Sequence, residues 1–211
     1  MNSMLSGLGV SAEIAGYFSD TFRILPDGSL CFVYGSAREY FVPGQHLVPV
    51  TSDLWRSNPL NPALISHVFI ACSAMEAICF LHIHRHLFGC LDQLLFVATG
   101  LLPSQMQLAE IAKEYKRQKF ALLMGNSLAG RAADVRIAGW LKEKNFLVNY
   151  EGLDQVMISF GQKEYTFSES AFNLNAFQVA SGFRFKIRTY KSRLSDSFLD
   201  QLQFSHPAPL R

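Results

Sequence analysis

Five basic residues, Arg184, Lys186, Arg188, Lys191 and Arg193, fall within ten positions with no acid between them. In Phe183-Arg184-Phe185-Lys186-Ile187-Arg188-Thr189-Tyr190 the cations at 184, 186 and 188 alternate with Phe183, Phe185 and Ile187. An extended backbone therefore sets the charges on one face and the apolar side chains on the other. Such a face suits phosphates, each contact adding salt-sensitive, sequence-independent affinity for nucleic acid. It equally suits a solvated sheet edge that charge protects from further pairing.

Three other groups carry weaker signals. Cys72 follows an apolar run and precedes a helical one, a place where a thiolate is stabilised, but no base accompanies it and it reads as an inert small residue. His82, His84 and His86 form HxHxH, with His82 and His86 on one helical face. No carboxylate or cysteine completes a metal site, so they read as helix-surface or core histidines. The stretch Gly125 to Gly130 opens a helix, which makes Asn126, Ser127 and Arg131 candidates for holding an anion against backbone N–H groups. It lacks the G-K-[ST] of a P-loop and reads equally as a tight turn capped by Ser127.

The chain divides into residues 1–62, 63–152 and 153–211. In the first part Ser11 caps a short helix through Phe18, and Leu30–Tyr34 and Glu39–Val42 form a hairpin. The second part alternates in period. His67–Ala71, Leu94–Ala98 and Phe120–Met124 are continuous apolar runs of the kind covered on both faces, and Phe146–Tyr150 reads as a fourth. Helices over Ala74–Phe88, Pro103–Gln118 and from Gly130 to about Lys144 separate them. The expected architecture is α/β: a four-stranded, mostly parallel, Rossmann-like sheet flanked by helices, with small β-containing extensions at both ends. In the third part a hairpin over Gln155–Phe160 and Glu164–Phe167 leads to the basic strand. A short amphipathic helix with Leu194, Phe198, Leu199 and Leu202 follows, then a Pro-containing tail.

Within residues 66–150 the order of motifs resembles the Toprim domain of topoisomerases, bacterial-type primases and related nucleases. The carrying residues are Met75-Glu76-Ala77, Ala98-Thr99-Gly100 and Asn126-Ser127-Leu128-Ala129-Gly130-Arg131. The segment Gly9-Val10-Ser11-Ala12-Glu13 also resembles what precedes this domain in primase-like proteins of mobile elements. The resemblance implies a glutamate after the first strand and a D-x-D after the third, because Mg²⁺ is held by hard oxygen ligands. Cys72 stands at the glutamate position, and Gly125-Asn126-Ser127 at the D-x-D. The degenerate positions are thus Cys72, Gly125 and Ser127. Only Glu76, Asp134 and Glu151 remain as relocated acids.

The expectation is a non-catalytic Toprim-like module of a DNA-processing or mobile-element system, with no metal and no cofactor, binding nucleic acid or a partner protein. The alternative is a phosphotransferase or nucleotide-hydrolysing enzyme with relocated metal ligands. A net charge of +2 leaves only local charge clustering to speak for a polyanion, and 49% hydrophobic content describes a globular chain. The start MNSMLSGLGVSAE has no basic region before an apolar stretch, no apolar run is long enough to span a bilayer, and the four cysteines lack CxxC spacing. These features point to a cytoplasmic location, no membrane partner, and a possible homodimer through the Leu194–Leu202 helix.

Overall fold

The computed structural model describes residues 3–205; the Pro-containing tail lies outside them. Two short helices open the chain, α1 (Ser3–Gly7) and α2 (Ala12–Tyr17), the second capped by the Ser11 hydroxyl. Four strands follow as an antiparallel meander: β1 (Phe22–Ile24), β2 (Leu30–Tyr34), β3 (Ala37–Val42) and β4 (Gln45–Leu47). β5 (Trp55–Arg56) then leads into the central sheet, where it pairs antiparallel with β7.

The central sheet is built from β6 (His67–Ala71), β7 (Leu94–Ala98) and β8 (Lys119–Leu123), with β6 paired in parallel to both neighbours. α3 (Ala74–His84) joins β6 to β7, α4 (Gln105–Glu114) joins β7 to β8, and α5 (Leu128–Trp140) leaves β8. Ser73, Ser104 and Ser127 cap these three helices, so each begins where a hydroxyl can accept an orphan N–H. Gly130 permits the close approach of α5 to the end of β8: a Cβ there would lie 2.4 Å from the Gly125 carbonyl oxygen.

After α5 the chain departs from the four-stranded, mostly parallel sheet expected from the sequence. Phe146–Tyr150 does not join the central sheet; it falls at β9 (Leu147–Gly152), the edge of a second antiparallel meander with β10 (Gln155–Phe160) and β11 (Lys163–Ser168). The fold is mixed α/β with two wholly antiparallel sheets of four and three strands beside the five-stranded one, and the described residues do not form the expected four-stranded, mostly parallel Rossmann-like sheet. The reason lies in the residues themselves. Beyond Val148 the run turns polar at Asn149 and Glu151, and Leu147 and Tyr150 are exposed, whereas an inner parallel strand is covered on both faces. Gly152, Leu153 and Asp154 all take positive φ, closing a tight hairpin that sends β10 straight back along β9.

A helix the sequence reading did not anticipate, α6 (Leu174–Ser181), follows β11 and ends at Gly182 in the left-handed conformation. The basic stretch alternates in burial as its spacing predicts: Phe185 and Ile187 are buried, while Arg184, Lys186 and Arg188 are exposed. Only β12 (Arg188–Thr189) is a paired strand, parallel to β8 at the edge of the central sheet. The rest is held individually, the Phe185 N–H donating to the Gln178 side chain at 3.0 Å. α7 (Phe198–Ser205) closes the described chain by packing Phe198, Leu199 and Leu202 into the core beside α3.

The period-2 alternation of the central strands assigns two cores. Phe69, Phe96 and Leu123 face the layer made by α1, α2, α3, α7 and the first meander; Val68, Val97 and Leu122 face α4, α5, α6 and the second meander. Each fully buried aromatic among them contributes about 1.5–3 kcal/mol.

Candidate functional site

The carboxyl ends of β6, β7 and β8 are where ligands bind in open parallel sheets. Cys72, Thr99 and Gly125 lie there, beside a cleft of about 540 Å³ lined by Cys72, Leu101, Leu102, Met124, Arg136 and Trp140. The cleft is largely apolar, and its one cation, Arg136, lies over the Trp140 ring at 4.9 Å. Burial pushes the Cys72 thiol well up, with Glu76 and Glu39 adding to the shift, so no thiolate forms there at neutral pH.

Three acids lie behind this edge, and each is engaged inside the protein. Glu39 accepts from the Ala74 and Met75 N–H groups at 2.8 and 3.1 Å, from the Tyr34 hydroxyl, and lies 2.9 Å from His46. It thereby caps α3 from outside the chain segment that forms it. The sequence reading missed it, although its place two residues before Phe41 on one strand face was a signal that it points inward. Glu76 accepts from the Phe198 and Leu199 N–H groups at 2.9 and 3.1 Å and so caps α7 from across the core. Burial raises its carboxyl, and those two donors pull it back.

Asp134 is 1% exposed and takes the Lys191 ammonium at 2.6 Å on Oδ2. The same ammonium donates to the Met124 and Gly125 carbonyls, both at 2.5 Å. A cation thus sits among three oxygens just beyond β8, and the chain supplies it. Lys191 is therefore not on the exposed face of its basic neighbours; Arg193 is exposed further along. Glu151 lies exposed on β9, apart from this edge.

The turn after β8 is equally committed. The Asn126 N–H donates to the Asp196 carbonyl at 2.6 Å, Ser127 Oγ accepts from the Gly130 N–H at 3.3 Å, and Arg131 donates to the Glu169 carbonyl at 2.9 Å. Of the histidines, His82 Nδ1 accepts from the Ser11 N–H, and His84 stacks on Phe80 with the His86 ring 6.4 Å away. Among the described residues no three or more His, Cys, Asp or Glu side chains are grouped to hold a metal ion.

At the opposite end of the same strands the surface is open and basic. Lys186 and Arg188 stand between two clefts. One is lined by His67, Phe88, Lys119, Phe120 and Tyr190; the other by Asn175, Gln178, Gly182 and Arg184. No Asp or Glu lines either cleft among the described residues. Arg188 lies over the Tyr190 ring at 5.2 Å and donates to its hydroxyl at 3.2 Å. Burial and nearby Lys119 hold the His67 imidazole below its ordinary value, so it is neutral at pH 7.

No family model matches the chain, and neither do any curated proteins or solved structures. No helix among the described residues is long and apolar enough to cross a membrane.

Two outcomes test the internal cation. Lys191→Met leaves the Asp134 carboxyl buried without its cation, so that it takes up a proton, and denaturation by urea at pH 8 is expected to show a loss of about 1–3 kcal/mol, part of which Asp134→Leu in the same chain restores. The second concerns pH. Burial pushes the Asp134 carboxyl up to about 7 against the pull of Lys191. An unfolded aspartate loses its proton near about pH 4, so between about pH 4 and 7 the folded state holds a proton that the unfolded state has lost. Stability from this group therefore falls as pH rises through that window. Relative to Asp134→Asn, the unaltered protein should lose stability from pH 5 to pH 7.5; parallel profiles would refute the assignment.

Proposed function

We propose that this protein is a non-catalytic module of a DNA-processing or mobile-element system, similar to Toprim domains in its motif order, which binds nucleic acid. The observation that carries this reading is the exposed ridge of Arg184, Lys186 and Arg188, joined by exposed Lys119, between two clefts without a carboxylate. Exposed cations facing water on one surface, unpaired with acids, are the electrostatic footprint of a polyanion site.

The opposite end of the strands supports the non-catalytic half of the reading. An Mg²⁺ site needs carboxylates turned toward an open position. Glu39 and Glu76 instead cap helices, and Asp134 is already paired with an ammonium. The motif order supports the Toprim likeness, since Glu76 follows β6, Thr99-Gly100 follows β7, and Asn126 to Arg131 follows β8.

Titrating the full chain with a labelled oligonucleotide over a range of salt tests the proposal. With four phosphates neutralised on a single strand, log K should fall against log salt with a slope of about −3. Reversing Arg184, Lys186 and Arg188 together to Glu should weaken binding by at least about a hundredfold and flatten the slope. An unchanged affinity in that variant would end the nucleic-acid reading.

A further inference from the structure

We infer that the ridge and its two clefts take unpaired nucleic acid, with a base in the aromatic cleft and the adjoining phosphates on Lys186, Arg188 and Lys119. This rests on the nucleic-acid reading above and adds which form of nucleic acid the site accepts.

Shape is the first support. A duplex presents its phosphates on a convex surface and hides its bases, so it is read by an element that projects into a groove. β12 is two residues long and hydrogen-bonded along β8, which is no such projection. The cations instead stand beside recesses of about 540 and 760 Å³. Recesses of this size hold one small ligand each, which suits a nucleotide turned out of a single strand.

Wall chemistry is the second support. Phe88, Phe120, Tyr190 and neutral His67 line the first cleft, and single strands are held by stacking on such rings beside a positive track. Arg188, 5.2 Å from the Tyr190 ring centroid and tied to its hydroxyl, is a planar cation held beside the cleft where it can meet a base or a phosphate. The second cleft offers the Asn175 and Gln178 amides with Arg184. A strand crossing from one recess to the other would pass directly over Lys186 and Arg188, which line both.

Backbone strain is the third support. Lys186 has φ of 57°, the left-handed region that side chains other than glycine rarely adopt. A charged residue held there at the boundary of two clefts, where glycine would fit without strain, points to a use for its side chain.

The experiment compares three probes against the full chain by fluorescence polarisation: a labelled single strand of about twelve nucleotides, a hairpin duplex with as many phosphates, and inorganic polyphosphate as competitor. The single strand should bind at least about tenfold tighter than the duplex, and polyphosphate should displace it far less well than unlabelled strand. Lys186→Gly should weaken the strand while leaving the melting temperature equal or higher, since it removes the charge and relieves the backbone. Equal or tighter duplex binding, or polyphosphate competing as well as the strand, would overturn the unpaired-base inference while leaving a charge-driven site. No binding of either oligonucleotide at low salt would remove the nucleic-acid reading itself and this inference with it.

Discussion

The Glu76 carboxylate lies in the core on the first turn of α3, and a charge taken out of water there must be met by donors. The donors are the first two N–H groups of α7, 122 and 123 residues further along the chain. An unmet helix end and an unmet carboxylate are each costly in the interior, and together they cancel. This contact fixes the C-terminal helix against α3. With the Tyr190 N–H on the Leu122 carbonyl, it also draws the preceding segment along the edge of β8.

The same logic repeats at the other two buried acids. Glu39 brings the first meander onto the start of α3, and Asp134 receives the ammonium of Lys191, which is anchored in turn on the carbonyls at the end of β8. Acids near the carboxyl ends of the parallel strands are thereby turned inward as ties between distant parts of the chain. The consequence appears at the other end of the sheet. Once the chain around Lys191 is held, Arg188 and Lys186 are carried along the outer edge with their side chains in water. Among the described residues, no Asp or Glu lines the clefts beside them.

How much of this could be read from the sequence follows from which forces are local. The apolar runs at His67–Ala71 and Leu94–Ala98 carry their strands by composition, and Ser73, Ser104 and Ser127 mark the helix starts because capping acts over three residues. The alternation of Phe185 and Ile187 with the cations gave the correct face for each side chain even though only β12 is paired there. What failed was the fourth strand. Whether Leu147–Gly152 joins the central sheet or folds back on Gln155–Phe160 depends on a left-handed turn at Gly152, Leu153 and Asp154; Gly and Asp favour such a turn, but Leu does not, and the apolar start of the run competes with it. The ties were hidden for a different reason. Glu39 to Ala74, Glu76 to Phe198 and Asp134 to Lys191 each span tens of residues, and a carboxylate's partner at that separation leaves no periodic trace. Lys191 therefore read as one more cation in a basic run, when its charge is the one that the interior uses.

Hydrogen exchange on Glu76→Gln tests most directly whether buried carboxylates hold the C-terminal segment and, through it, the basic edge. The substitution keeps the shape but turns one accepting oxygen into a donor that faces an N–H. The account predicts that the amides of Phe198, Leu199 and Tyr190 exchange at least about tenfold faster together, while Ala74 and Met75, held by Glu39, keep their protection. Faster exchange confined to Phe198 and Leu199, with Tyr190 unchanged, would show that the edge strand docks without the tie and would contradict the account.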